Sequence, residues 1–185
     1  MTPKNKNRLI LLAMLLLFAA PMIIAFVMRA EDVRPAKTLN SGTLVNPPRD
    51  VNAVPVKLAD GTALVWRDPQ WQWTLLALPG AQCADKCRER LDEMLRMRIT
   101  LGRSAERLRI VYLGPALPAD AVAARAPLLA GNDTSGAFAS YRAQATDELA
   151  LALVDPNGLL MMVYGQGYSA VGVRSDLKQV FHEKG

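Results

Sequence analysis

The chain has 185 residues, 51% of them hydrophobic and 21% charged, with a formal net charge of +5 at pH 7. That length holds a membrane segment and one compact core rather than two cores, and basic residues scattered among acids, with little aromatic interleaving, exclude a nucleic-acid-binding surface. Two cysteines are too few for a disulfide scaffold or a structural zinc site.

Residues 9–28 (LILLAMLLLFAAPMIIAFVM) contain no charged side chain. At about 1.5 Å per residue such a helix matches a hydrocarbon core of about 30 Å, and Pro21 kinks it without forbidding it. Lys4, Lys6 and Arg8 before the run resemble the n-region of a signal peptide. The run is too long for one, however, and no A-x-A cleavage site follows, so an uncleaved anchor is predicted. The early Lys/Arg cluster orients the chain with residues 1–8 as a cytoplasmic tail and the C-terminal domain outside. In a bacterium this is a single-pass inner-membrane protein with its domain in the periplasm, an oxidising compartment. Residues 29–53 are polar and broken by Pro35, Pro47 and Pro48, and read as a linker with a short edge strand near 42–45.

The folded domain is predicted over residues 54–185. Residues 54–58 and 62–66 flank Ala59-Asp60-Gly61 as a β-hairpin. Residues 73–78 form an apolar strand that breaks at Pro79-Gly80, and a helical period runs from Cys83 to about Leu101, with Gly102 as its C-terminal cap. Residues 107–113 (RLRIVYL) are a second apolar strand, so residues 73–113 read as strand, helix, strand with the strands parallel. Residues 118–129 are alanine-rich and read as a helix starting at Pro118, and residues 136–145 as another short one. Residues 149–154 and 159–164 flank Asp155-Pro156-Asn157-Gly158, a strong hairpin signal. Residues 171–183 close the chain as an amphipathic helix with Val173, Leu177, Val180 and Phe181 on one side.

Both cysteines sit where strand becomes helix. On a helix Cys83 and Cys87 share a face that Leu91, Leu95 and Ile99 continue. An i, i+4 pair has a Cα spacing of about 6 Å, inside the range of about 4.4–6.8 Å that a disulfide tolerates, so the pair can close or chelate as a dithiolate. The first-turn amides and the nearby Lys86, Arg88 and Arg90 favour a thiolate, and Cys83, at the turn, is expected to be the more acidic thiol.

Hairpin, strand, helix with two cysteines at its start, strand, helical insert, hairpin and final helix is the element order of the thioredoxin superfold, an α/β architecture. The CxxxC spacing, the N-terminal anchor, the turn Val154-Asp155-Pro156-Asn157-Gly158 and the closing Val173-Arg174-Ser175-Asp176-Leu177 resemble the Sco/SenC family of cytochrome oxidase assembly proteins. That resemblance implies a membrane-tethered thioredoxin-like domain. It would bind cuprous copper, Cu(I), through Cys83, Cys87 and a distal histidine, and would act with a cytochrome oxidase subunit or other assembly factors in building a copper site.

This chain departs from the family pattern twice. Cys83-Ala84-Asp85-Lys86-Cys87-Arg88 lacks both prolines of CPxxCP, and Asp147 occupies the position of the family's histidine. A carboxylate is a hard ligand, ill suited to cuprous copper. His182, at the end of the last helix among charges, reads as a solvated terminal residue, and Met161 and Met162 as packing residues on a strand. The proline that ordinary thioredoxins place before the penultimate strand is missing from 146–149. Three functions therefore compete: an oxidase assembly factor that delivers copper or reduces the copper-site cysteines of its client, a metal-free thiol–disulfide oxidoreductase, and an interaction module with a structural disulfide.

Overall fold

The computed structural model describes residues 3–30 and 40–182. Residues 31–39 of the predicted linker and 183–185 lie outside the described residues. The chain divides into two units, the second beginning at Asn40. The first carries α1, Pro3–Ala30, one continuous helix with Pro21 inside it, and exposed apolar side chains that include Leu11, Leu15, Phe18 and Met22. Among the described residues no helix is long and apolar enough to cross a membrane. The anchor expected over 9–28 is therefore not shown by the structure.

The second unit is built on β3, Trp73–Pro79, whose seven residues are all buried. A strand covered on both faces needs apolar residues at odd and even positions alike, which is why this run does not alternate. Leu75 and Ala77 enter a core with Cys87, Leu91 and Met94 of α2, Asp85–Ile99, and with Val173, Leu177 and Phe181 of α4, Ala170–His182. Leu76 and Leu78 enter a second core on the opposite face, closed by Val51, Val56, Leu64, Trp66 and Phe138. Trp66 locks that cover by donating its indole N–H to the carbonyl of Val54 at 2.8 Å and by packing on Phe138, ring centres 5.6 Å apart.

Beside β3 run β4, Leu108–Leu113, in parallel, and β6, Leu149–Val154, antiparallel. The strand–helix–strand unit read from the sequence thus forms. So does the second hairpin, β6 to β7, Leu159–Tyr164. Its turn is wired locally: the carboxylate of Asp155 accepts from the amides of Asn157 at 2.9 Å and Leu159 at 2.8 Å, and Gly158 takes φ +81°, a conformation that costs an L side chain energy. The closing helix α4 also forms.

Four segments depart, wholly or in part, from expectation. First, the short edge strand expected near 42–45 forms but runs further into the predicted linker, as β1, Thr43–Asp50, which pairs antiparallel with β7. Pro47 and Pro48 stand inside it, and the register shifts between Leu44 and Arg49, as an edge strand permits where an interior one would not. Its entrance is fixed by Asp176, whose carboxylate accepts from the amides of Ser41 at 2.9 Å and Gly42 at 3.0 Å and from the hydroxyl of Tyr164 at 3.2 Å. Second, the helix predicted over 118–129 shrinks to α3, Ala119–Ala123, and Leu128–Asp133 is β5, parallel to β4. Pro127 offers no amide to a helix ladder, and pairing with β4 overrides the alanine-rich composition. Third, the hairpin around Ala59-Asp60-Gly61 keeps its turn, with the amide of Leu58 donating to the carbonyl of Thr62 at 2.8 Å. Its arms meet at one antiparallel bridge, Lys57 to Ala63, and the first arm, β2, Val56–Leu58, pairs on its other side with β5. Fourth, the segment 136–145 holds a single 3-10 turn, Ala139–Tyr141. The strand order across the seven-stranded sheet is β1-β7-β6-β3-β4-β5-β2.

Tyr112, 1% exposed on β4, links this core to pH. Burial, partly offset by Arg142, pushes its phenol up to about 12, against about 10 in an unfolded chain. The unfolded state releases this proton first, so folding free energy is fully present below about pH 10 and declines toward about pH 12. Chemical denaturation at stepped alkaline pH is expected to show that decline, and Tyr112→Phe to lessen it.

Candidate functional site

The site lies where β3 gives way to α2. Past Pro79 the chain keeps pairing with the segment ahead of β6: the amide of Gly80 donates to the carbonyl of Glu148 at 3.1 Å, and that of Gln82 to Thr146 at 2.9 Å. A Cβ at position 80 would overlap the carbonyl of Ala145, so glycine is what lets the 145–148 segment lie against the cysteine loop. Cys83 follows, half-buried, and Ala84 occupies the N-cap of α2 without any side-chain cap of its own.

Cys83 and Cys87 are joined as a disulfide with a Cα separation of 5.0 Å. The predicted shared helical face is corrected: α2 begins at Asp85, so Cys83 belongs to the loop and only Cys87 to the helix. The bond spans the helix start. The stripe drawn through Leu91, Leu95 and Ile99 also drifts off the core, since each four-residue step overshoots a full turn by about 40°. Ile99 is 73% exposed, and the buried face runs through Cys87, Leu91, Met94 and Met97. Cys87 is fully buried.

Asp147 lies directly at the pair. One carboxylate oxygen accepts from the amides of Ala84 at 2.7 Å and Cys87 at 3.2 Å, and the other from that of Lys86 at 3.0 Å. These are donors that a helix leaves without intrahelical partners at its first turn. Asp147 thus supplies from sixty-three residues away the cap that Ala84 lacks. Partial desolvation pushes its carboxyl up, but the amides of Cys87, Lys86 and Ala84, aided by Arg88, outweigh this and hold it below the usual carboxylate range.

The cations expected to favour a thiolate are likewise engaged: Lys86 pairs with Glu148, Arg88 with Asp85 at 2.7 Å and Arg90 with Glu93 at 2.8 Å. Arg90 also stacks over the ring of Tyr168, 5.5 Å from its centre. The amides of Ala84, Lys86 and Cys87 and the three cations, features that favour an acidic Cys83, therefore face carboxylates instead.

The other residues weighed as ligands stay away from the pair. His182 lines a hollow with Leu101, Ser104 and Arg107, at the opposite end of α2 from Cys83. Met161 and Met162 do not divide between two faces as simple alternation predicts. A register shift in the β6–β7 pairing makes Met161 an extra residue, and both methionines pack on the α2–α4 core. Among the described residues no group of three His, Cys, Asp or Glu is placed to hold a metal. Copper does not fit the site as it stands: the two sulfurs share a covalent bond, and both oxygens of Asp147 are taken by amides.

A parallel β3–β4 pair, a crossover helix beginning at a disulfide and a following β-hairpin make this a thioredoxin-like protein. Residues 73–182 match the family described as transmembrane-like, thioredoxin-like, C-terminal domain, and the chain belongs to that family. No curated protein matches it. Among solved structures it is similar to copper-bound ScoI of Arabidopsis thaliana, at 15% identity and TM-score 0.54 over 70% of this chain and 96% of that one. It is also similar to apo Sco1 of Thermus thermophilus, at 16% identity and TM-score 0.53 over 79% and 99%. A third match is the bacterioferritin comigratory protein of Xanthomonas campestris, an alkyl peroxide reductase, at 15% identity and TM-score 0.50 over 74% and 96%. At such identities the likeness is one of fold, shared by copper-binding and peroxide-reducing proteins alike.

Proposed function

We propose that this chain is a membrane-tethered thiol–disulfide redox protein that reduces client cysteines on the outer face of the cytoplasmic membrane, with the copper-site cysteines of cytochrome oxidase as its clients. The observation that carries the reading is the Cys83–Cys87 disulfide at the mouth of α2, one sulfur half-buried at the surface and the other in the core. In the reduced pair the Cys83 thiolate attacks a client disulfide, forming a mixed disulfide and expelling one client thiolate. The Cys87 thiolate then attacks the Cys83 sulfur, expelling the second client thiolate and closing the bond. Two electrons pass to the client, whose thiolates take up the protons that the pair gives up. A dithiol protein must then reduce the pair again. The tether is α1, whose apolar side chains Leu11, Leu15, Phe18 and Met22 stand exposed, a pattern that a lipid phase would cover.

A second reading, copper delivery between the two reduced sulfurs, is favoured by the fold likeness to copper-bound ScoI, but the place of a third soft donor is held by Asp147.

The test uses the reduced full chain and a peptide carrying a two-cysteine copper-site sequence as its disulfide. Reduction of the peptide in step with oxidation of the chain is expected, and Cys87→Ser should hold a mixed disulfide at Cys83. A peptide that stays oxidised overturns the reading.

A further inference from the structure

Asp147 is bonded to three amides at the start of α2. Those same donors would stabilise an anionic sulfur at Cys83, immediately before the helix. Two anions cannot both hold them. In the disulfide form the sulfurs are neutral and Asp147 keeps the amides unopposed. In the dithiol form a Cys83 thiolate must do without them or displace a carboxylate already bound, and it meets a like charge in either case. Lys86, Arg88 and Arg90 give little relief, since each is paired with an acid.

We propose that Asp147 is a positioning residue that sets the redox poise of the Cys83–Cys87 pair, favouring the disulfide over the dithiol and so making the reduced chain a stronger electron donor. The 145–148 segment is built for this placement. Gly80 lets it approach, the amides of Gly80 and Gln82 bond it in register, and Glu148 anchors it through Lys86. The inference rests on the redox reading only in giving the poise a use, because the equilibrium itself exists whether or not a client is found.

The experiment equilibrates the full chain with dithiothreitol at graded ratios of its reduced and oxidised forms, counting free thiols by alkylation. The half-reaction is the disulfide plus two electrons and two protons giving two thiols, with dithiothreitol as donor. Asp147→Asn removes the charge and one acceptor oxygen. It is expected to raise the reduced-to-oxidised ratio about tenfold, a rise in reduction potential of about 30 mV. Asp147→Glu, which keeps the charge, should restore most of the original value. Should Asp147→Asn not fold, Asp147→Ser, a neutral cap, carries the same expectation. A ratio unchanged or lowered in the neutral variants overturns the proposal. A shift in potential without peptide reduction removes the client reading and leaves this one standing, and the converse result does the opposite.

Discussion

A chain carrying Cys83→Ser and Cys87→Ala is expected to lose all exchange with a disulfide peptide while its sheet stays folded. Closing so short a loop constrains the unfolded chain little, so losing the bond costs about 2 kcal/mol. The choice of alanine at position 87 matters. That side chain is fully buried against the α2 core, and serine there would strand a hydroxyl at a further cost of about 1–3 kcal/mol. Cys83→Ser alone, at a half-buried position, should therefore unfold at higher denaturant than Cys87→Ser alone, although both abolish turnover. Equal midpoints for the two single variants would mean that the sulfurs are not buried so differently.

The second large effect is expected at Asp176, far from the cysteines in sequence. Its side chain is 1% exposed and ties α4 to the entrance of β1 through Ser41, Gly42 and Tyr164. Asp176→Ala removes the acceptor from buried donors and should cost about 3 kcal/mol, lowering Tm by about 6–12 °C in a chain of this size. Since β1 depends on this anchor, limited proteolysis should cut within residues 40–50 of the variant under conditions where the parent chain resists. Loss of stability without new cleavage there would assign Asp176 to the helix rather than to the strand. Burial and the Asp176 carboxylate both push the Tyr164 phenol upward, so its O–H remains a donor to Asp176 across the working range.

Local chemistry made part of this molecule legible before any coordinates. The β6–β7 hairpin could be read because Asp155, Asn157 and Gly158 complete its turn among themselves, and β3–α2–β4 because a fully apolar run followed by helical spacing has few other solutions. What failed was decided at a distance. Leu128 and Leu129 read as the tail of an alanine-rich helix, until β4 and β2 are placed on either side of the strand they open. The second half of β1, residues 46–50, reads as a tether because prolines argue against strands unless an edge is available.

At the site, the cysteine spacing marked the chemistry, and Asp147 stood out as a carboxylate where a related pattern has histidine. Its role as cap was not readable, because α2 and its acceptor are sixty-three residues apart and a local scan for a cap meets only Ala84. Gly80 reads, with Pro79, as the turn that ends the strand. Its further duty, leaving room for the Ala145 carbonyl, depends on a neighbour absent from its own stretch.

The proline pair in β1 has a consequence for how copies of this domain meet. An outermost strand normally presents a row of open donors and acceptors that a second molecule can extend into a fibril, but Pro47 and Pro48 have no N–H to offer. At the opposite border β2 is three residues long, too brief a template for stacking. With both margins blunted, molecules crowded side by side can collide repeatedly without polymerising.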